Sequence, residues 1–189
     1  MFRDVTFSDV SRTRAISDDC ASFVMDEETF RAFYDRTARG VWAYLVRVTG
    51  NRETADDLLQ EAFYRFLRAA ATHRDEAHRR NSLYRIATNL ARDARRRNLF
   101  RGSAGSTNDD VEHVAADGDQ ARTTERRTDF KRAMSHLKPR ERALLWLAYA
   151  EGASHREIAD VLGLQPGSLK PMLFRARRRL AALLTGEKR

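Results

Sequence analysis

The stretch Ser154–Leu180, SHREIADVLGLQPGSLKPMLFRARRRL, decides the fold of the C-terminal part of this 189-residue chain. Ser154 stands three residues before Glu157, which is the spacing of a capping box at the start of a helix. Gly163 then suits the left-handed conformation that ends a helix, and a longer basic helix follows after a short turn. A short helix, a glycine-containing turn and a second helix predict a helix-turn-helix unit. Two packed helices with a solvated basic face are the alternative.

The neighbouring residues extend this unit in both directions. Pro139 suits the first position of an earlier helix that ends near Ala150, and the helix after the turn runs to Leu184. In such a unit the early residues of the second helix reach base edges in the major groove, and later basic residues contact phosphates. We expect that helix to start late or to bend, because Pro171 breaks a helical hydrogen bond unless Ser168 is the N-cap.

Apolar residues in the N-terminal half also recur at three- and four-residue steps, as in helices that bury one face. The pattern predicts three helices, over residues 30–48, 54–69 and 82–97. Gly50 and Asn51 break the first helix, and Thr54 caps the second. The polar segment Thr72–Asn81 is expected to be a loop. Because no alternating strand pattern appears anywhere in the sequence, the predicted fold class is all-α.

Charge is distributed unevenly along the chain, which has 35 lysines and arginines, 27 acidic residues and a net charge of +8. Residues 71–100 and 131–189 are basic, whereas residues 101–130 are acidic. Within the acidic block, Arg101–Gln120 is rich in Gly, Ser and Asp, a composition that cannot bury a core. We therefore predict two modules on a flexible linker that lets them bind sites far apart. The predicted segments are an acidic N-terminal extension at 1–22, an N-terminal module at 23–98, the linker at 99–125, a C-terminal module at 126–184 and a tail at 185–189.

The excess of basic over acidic residues favours a polyanionic partner, and nucleic acid is the commonest polyanion. Opposite its apolar side, the predicted helix 82–97 carries a basic ridge with an amide in it, formed by Arg85, Asn89, Arg92 and Arg96 and flanked by Arg95 and Arg97. Such a surface suits phosphate contacts and amide readout of bases. The predicted helix 54–69 carries a polar, partly acidic stripe formed by Asp57, Glu61, Tyr64 and Arg68, with Gln60 beside it. This stripe is either a solvated surface or a docking face for a basic partner.

The sequence contains none of the common motifs that carry catalysis or hold a nucleotide cofactor. The single cysteine, Cys20, excludes an internal disulfide and a cysteine-based zinc site, and His73 and His78 have no third metal ligand at a sensible spacing. We predict a protein that is not an enzyme, with no catalytic residue, no cofactor and no metal. No apolar run is long enough to cross a bilayer and no signal peptide is recognisable, so we expect a soluble, cytoplasmic protein.

Two parts of the chain resemble conserved regions of bacterial sigma factors. ETADDLLQEAFYRFL at 53–67, followed by SLYRIATNLARDARRR at 82–97, resembles region 2, and Leu137–Leu184 resembles region 4. The size and the two modules resemble the extracytoplasmic-function (ECF) group of the sigma-70 family. This resemblance implies a region-2-like helical bundle linked to a region-4-like helix-turn-helix. It also implies a transcription initiation factor that binds core RNA polymerase and directs it to promoter DNA, which it recognises and melts.

The resemblance implies site residues as well. The helix with the acidic stripe docks on the clamp helices of the polymerase beta-prime subunit through Asp56, Asp57, Gln60, Glu61 and Phe63. The minus-ten element is bound by Arg80, Asn81, Arg85, Asn89, Arg92, Arg95 and Arg96. The second module contacts the beta flap, and its residues at the minus-thirty-five element are Gln165, Ser168, Lys170, Pro171, Phe174, Arg175 and Arg178. Because family members are usually held inactive by an anti-sigma factor, we expect such a partner, and no direct insertion into a membrane.

Two other functions stay open at this point. A dimeric helix-turn-helix regulator would bind two DNA half-sites without being a polymerase subunit, and it would leave the acidic helix without a role. A pure interaction protein, such as a sigma antagonist, fits poorly with two basic faces. Tight, specific binding to duplex DNA alone would indicate the dimeric regulator, because sigma factors bind promoters weakly without polymerase.

Overall fold

Seven α-helices make up the part of the chain that this computed structural model describes, residues 25–69, 75–100 and 120–186. They are α1 Glu27–Thr49, α2 Arg52–Arg68, α3 Glu76–Phe100, α4 Gln120–Ser135, α5 Pro139–Tyr149, α6 His155–Leu162 and α7 Pro166–Leu184. No strand occurs in these ranges, which confirms the predicted all-α class, and no helix in them is long and apolar enough to cross a membrane. The N-terminal extension at 1–22, with Cys20, and His73 lie outside the described residues, as does most of the predicted linker.

Capping interactions explain where the N-terminal helices begin and end. α1 follows Asp26, whose carboxylate accepts a hydrogen bond from Thr29 N at 2.8 Å, and it ends at Gly50 with a φ of 78°. The predicted break at Gly50 is therefore confirmed. The predicted cap of α2 is wrong, because Asn51 and not Thr54 is the N-cap. The side-chain oxygen of Asn51 accepts a hydrogen bond from Thr54 N at 2.7 Å, so α2 starts two residues before Thr54.

The start of α3 also differs from the prediction. Residues 76–81, expected to belong to a loop, form the beginning of this helix. The carboxylate of Asp75 accepts a hydrogen bond from His78 N at 2.7 Å and so satisfies one of the unpaired donors at the helix start. Glu76 follows in the first turn, where a carboxylate interacts favourably with the helix dipole. These local cues locate the helix where the apolar pattern is too sparse to show it.

The C-terminal helices form the predicted helix-turn-helix. Ser154 N donates to Glu157 Oε2 at 2.7 Å and Glu157 N donates to Ser154 Oγ at 3.3 Å, which confirms the capping box. Gly163 ends α6 with a φ of 63°. Of the two effects expected of Pro171, a late start or a bend, the late start is wrong, because Gln165 is the N-cap and Pro171 lies inside the helix. Without an N–H, Pro171 leaves one carbonyl of the preceding turn without its helical donor.

The N-terminal helices α1 to α3 pack against the C-terminal helices α5 to α7 around one hydrophobic cluster. α1 contacts α5 and α3 contacts α6. Both sets of helices contribute fully buried side chains, among them Phe33, Tyr44, Leu45 and Leu83 from the first set and Leu144, Leu147, Ile158 and Leu169 from the second. Each such side chain stabilises the fold by about 1.5–3 kcal/mol relative to full exposure. The sequence pattern predicted two modules and did not predict that they touch.

Polar and aromatic contacts also join the two modules, and we call the whole contact surface the module interface. Asn81 Nδ2 donates to Glu157 Oε1 at 2.9 Å, and Arg92 Nη2 donates to the carbonyl oxygen of Leu162 at 3.3 Å. The guanidinium of Arg47 lies 5.6 Å from the ring centroid of Trp146, within the range of a cation–π interaction. Hydrogen bonds between α3 and α6 and an aromatic contact between α1 and α5 thus surround the shared hydrophobic cluster.

Gly40 allows the side chains of Tyr84 and Glu151 to approach α1 closely at this interface. A Cβ atom at this position would lie 3.1 Å from the Tyr84 hydroxyl and 3.3 Å from a carboxylate oxygen of Glu151. Glu151 also accepts a hydrogen bond from the Trp146 indole N–H at 3.2 Å. Burial and the charge of Glu151 raise the pKa of Tyr84, so its hydroxyl stays protonated. The missing side chain of Gly40 leaves room for this polar group against α1.

Candidate polymerase and nucleic-acid interfaces

An acidic face lies on α2 and consists of Asp56, Asp57, Gln60 and Glu61. The first three side chains are exposed and Glu61 is half-buried. Trp42 of α1 donates its indole N–H to Asp56 Oδ1 at 2.6 Å, which fixes one carboxylate of the face. Glu61 pairs with Arg65 on the same helix at 2.6 Å. The face is thus a set of accessible acceptors on a rigid helix, suited to a basic protein partner.

Phe63 does not belong to this exposed face. Only 4% of its surface is exposed, and its ring centroid lies 4.7 Å from that of Tyr34 and 6.4 Å from that of Phe33. The position follows from helical spacing, because Phe63 falls on the apolar side of α2 with Phe66. The ring of Phe63 therefore supports the acidic face from the core. Tyr64, next along the chain, is 53% exposed.

The basic ridge lies on α3. Arg85, Asn89, Arg92, Arg95 and Arg96 are exposed, whereas Arg80 and Asn81, nearer the start of the helix, are half-buried. Steps of three and four residues place Arg85, Asn89 and Arg92 along one side of the helix. Arg96 pairs with Asp93 at 3.3 Å, a solvent-exposed contact that leaves the ridge strongly positive. A guanidinium ridge of this kind can neutralise successive phosphates, and the amide can hydrogen-bond a base edge.

Two residues of the candidate minus-ten set are occupied at the module interface. Asn81 and Arg92 both donate hydrogen bonds to α6, to Glu157 and to Leu162 respectively. The hydrogen bond from Asn81 lowers the pKa of Glu157 more than any other contact does, and the hydrogen bonds of Glu157 with Ser154 lower it further. In the packed arrangement these two donors are directed to protein acceptors and not to nucleic acid.

The candidate minus-thirty-five residues lie in the first half of α7 and at its N-cap. Gln165, Lys170, Pro171, Phe174, Arg175 and Arg178 are exposed and Ser168 is half-buried. Phe174 is 53% exposed, and the guanidinium of Arg178 lies 5.9 Å from its ring centroid. Arg175 Nε donates to the carbonyl oxygen of Pro171 at 3.3 Å. A cationic surface with one exposed ring suits phosphates together with a thymine methyl group.

No group of three or more His, Cys, Asp and Glu side chains converges within the described ranges as a metal site would require. His78, considered above as a metal ligand, lies in the first turns of α3 and is exposed. What the described residues offer is three polar or charged helical surfaces, on α2, α3 and α7. Surfaces of this kind bind macromolecules through charge and hydrogen bonding.

Sequence reasoning missed a cavity between the modules. It measures about 740 Å³ and is lined by arginines from α3 and α5, namely Arg92, Arg95, Arg140 and Arg142. Burial, and then the charge of Arg95, lower the pKa of Arg142. Nothing in the sequence singles out Arg140 and Arg142, because residues of α5 and α3 line the same cavity only as a result of packing between the modules.

The comparisons with known proteins agree with each other. Residues 33–100 match the family model described as Sigma-70 region 2, and residues 127–180 match the one described as Sigma-70, region 4. The chain is 32% identical over 155 residues to the ECF RNA polymerase sigma factor SigL of Mycobacterium tuberculosis, which covers 82% of this chain and 88% of SigL.

Two solved structures share the fold. The sigma factor RpoE from Bartonella quintana, solved in complex with the anti-sigma factor NepR, superimposes with a TM-score of 0.61 at 22% identity, covering 84% of this chain and 98% of RpoE. CnrH, solved in complex with the cytosolic domain of CnrY, gives a TM-score of 0.57 at 22% identity over 86% of this chain and 92% of CnrH. At these identities the likeness concerns the arrangement of helices.

Proposed function

Because the chain belongs to the extracytoplasmic-function sigma factors of the sigma-70 family, which act in transcription initiation, we propose that its three helical surfaces divide the work of that role. The acidic face of α2 binds core RNA polymerase, the ridge of α3 binds the minus-ten element and α7 binds the minus-thirty-five element. One observation carries this division, namely that each charged surface lies in a region-2 or region-4 match. The dimeric regulator is not favoured, since it has no use for a region-2 module.

Polymerase docking is assigned to Asp56, Asp57, Gln60 and Glu61, against the clamp helices of the beta-prime subunit. Their support is the exposure of three of the four and the fixed position of Asp56. A helix with accessible carboxylates attracts basic side chains of a partner through charge-assisted hydrogen bonds. The C-terminal module contacts the beta flap in the same complex. We place this assembly in the cytoplasm, where polymerase and promoter DNA are found.

Promoter binding is assigned to α3 and α7. The arginines of α3 contact the phosphates of the melted minus-ten strand while Asn81 and Asn89 offer amides to its bases. When a base is flipped out of the stack, its binding in a pocket of the protein offsets the stacking energy that is lost. Lys170, Arg175 and Arg178 bind the major groove at the minus-thirty-five element. These steps are binding steps, so the function needs no catalytic residue, cofactor or metal.

Control by an anti-sigma factor belongs to the same proposal. Its support is that RpoE, whose fold this chain shares, is held by the anti-sigma factor NepR in its solved complex. An inhibitor that covers the acidic face of α2 excludes polymerase by occupying its contacts. An inhibitor that keeps the modules together leaves Asn81 and Arg92 bonded to α6 and away from DNA.

A pull-down with bacterial core RNA polymerase, followed by run-off transcription on genomic fragments, tests the proposal. We expect a stable complex and discrete transcripts whose start sites reveal the promoter sequence. Absence of binding, by the full chain and also by a chain lacking residues 1–22, would make the dimeric regulator the better hypothesis. Size-exclusion chromatography with duplex DNA then distinguishes a dimer on two half-sites from a monomer.

A further inference from the structure

The cavity between the modules is large enough for a small-molecule ligand. Its volume of about 740 Å³ lies within the range of roughly 300–1,000 Å³ that is usual for ligand pockets. Helices α1, α2 and α3 supply one wall, through residues such as Tyr44, Asn51 and Asn98, and α5 with the end of α6 supplies the other. Both modules therefore have to be packed together for this cavity to exist.

The charges on its walls all have one sign. Arg92 and Arg95 come from the N-terminal module, Arg140 and Arg142 come from the C-terminal module, and no aspartate or glutamate of the described chain lines the cavity. Four guanidinium groups around one space repel each other, since like charges disfavour each other's charged form. An anion between them removes that repulsion.

Arg142 is the most deeply buried of these four cations. Its residue surface is only 8% exposed, and its Nε atom has no hydrogen-bond partner in the described part of the chain. Buried donors in proteins are nearly always paired, so Arg142 is a buried cation whose hydrogen-bonding groups are incompletely satisfied by the described part of the chain. Burial and the charge of Arg95 lower the pKa of Arg142, as expected for a cation that lacks a counter-charge.

We propose that this cavity binds a small anion with two or more phosphate groups, either a nucleoside polyphosphate or an inorganic polyphosphate. The planar fork of arginine fits phosphate oxygens in pairs, and four forks on two walls suit a short chain of phosphates better than one small anion. A ligand that contacts both walls holds the modules together. Such a ligand also withdraws Arg95 from DNA and keeps Arg92 bonded to Leu162. These consequences rest on the proposed function, whereas binding itself does not.

Isothermal titration of the full chain tests the site, with inorganic tripolyphosphate and GTP as probes and sodium sulfate at equal ionic strength as the reference anion. We expect saturable binding of one tripolyphosphate per chain. Binding should weaken at least tenfold in Arg140→Gln and in Arg142→Gln, and stay unchanged in Arg39→Gln, which removes an exposed arginine of α1 outside the cavity. Tighter binding of GTP than of tripolyphosphate identifies a nucleotide as the ligand, and the reverse order identifies inorganic polyphosphate.

Three results would overturn the proposal. One is the absence of saturable tripolyphosphate binding. Another is a loss of affinity in Arg39→Gln equal to that in Arg140→Gln, which would show that the anion is attracted by net charge alone. The third is binding of a single-stranded oligonucleotide through Arg140 when tripolyphosphate does not bind, which makes the cavity part of the DNA surface. Because Arg140 is exposed, Arg140→Gln should leave the fold intact. Its effect on tripolyphosphate binding therefore tests the site even where Arg142→Gln lowers helix content. A chain that binds polymerase but not tripolyphosphate refutes the site and leaves the proposed function intact.

Discussion

At the scale of single residues, the carboxylates of α2 offer a direct test of polymerase docking. We expect the double variant Asp57→Lys, Glu61→Lys to lose polymerase binding, because it replaces acceptors with like charges facing a basic surface. Folding should survive, since Asp57 is exposed and the pair of Glu61 with Arg65 is worth only about 0–1 kcal/mol. Pull-down and circular dichroism measure the two properties. Glu28→Lys on α1 is the matched control, and intact binding by the double variant would move the docking surface elsewhere.

Arg175 is the residue of α7 on which readout of the minus-thirty-five element is most easily measured. We expect Arg175→Ala to weaken promoter binding by the polymerase complex by about 1–3 kcal/mol if the side chain hydrogen-bonds a base. The neighbouring exposed Arg177→Ala serves as the control, because it removes the same charge from another side of the helix. Equilibrium binding on one promoter fragment compares the two. Equal effects would indicate a general loss of charge and not a base contact.

Glu157 makes the stability of the chain depend on pH in a way that can be isolated. Hydrogen bonds from Asn81 and Ser154 hold the pKa of Glu157 below its ordinary 4.5. A carboxyl with a lowered folded pKa contributes stability above its unfolded pKa, and the contribution is lost as the pH falls through the folded value. Glu157→Gln should therefore be less stable than the natural chain at pH 7, with a gap that narrows below pH 4.5. Urea unfolding at pH 7 and about pH 3 measures the gap, and a constant gap would contradict the assignment.

At the scale of elements, the capping box of α6 should govern how firmly the helix-turn-helix is held. Ser154→Ala removes the acceptor of Glu157 N and should cost about 1 kcal/mol of unfolding free energy. Ser154→Thr keeps a capping hydroxyl and should restore most of the loss. Denaturant unfolding of the three proteins checks this order. Equal destabilisation by alanine and threonine would show that the cap contributes through packing and not through its hydrogen bond.

The helix ends at glycines were predicted correctly from the sequence, the starts of α2 and α3 were missed although Asn51 and Asp75 are local cues, and the course of α7 depends on distant packing. Gly50 and Gly163 end helices because their backbones adopt positive φ, which glycine permits, and this could be predicted. Pro171 was expected to delay or to bend α7, and the helix starts before it and runs through it. Leu169 and Leu173, on either side of Pro171, are buried in the core and fix the backbone there. Their burial offsets the hydrogen bond that proline removes.

At the scale of the whole molecule, the sequence indicated which surfaces are charged but not how they meet. The spacing of Arg85 and Asn89 shows that they share one side of a helix, and the structure places both at the surface. In contrast, the contact of Arg92 with Leu162 joins residues that are seventy positions apart. The composition of the intervening segment predicted separate modules. The contact between them was missed because apolar periodicity shows which face of a helix is buried but not which other helix covers it. The arginine-lined cavity was missed for the same reason.

Trp146 tests whether the module interface opposes polymerase binding. It is partly buried against the shared cluster and lies beside Arg47, so Trp146→Ala should weaken the contact of α1 with α5. We expect this variant to bind core polymerase more tightly than the natural chain, because less interaction between the modules has to be broken. Titration of labelled chain with polymerase measures the change. Tyr149→Ala, an exposed aromatic at the end of the same helix, is the control. Unchanged affinity with a weakened interface would show that the modules stay packed on polymerase.

Under the proposed division of work, the contact between α3 and α6 opposes simultaneous binding of both promoter elements. The minus-ten and minus-thirty-five elements that the two modules are proposed to bind are centred about 25 base pairs apart, or roughly 85 Å along a duplex that rises ~3.4 Å per base pair, so we expect that two modules in contact do not reach both. Chains that are packed and chains that are open then form an equilibrium. Where packed chains outnumber open ones by about 100 to 1, the apparent Kd for a partner of the open form rises about 100-fold. On the proposed function, a change that shifts this population is expected to alter promoter use without altering any DNA contact.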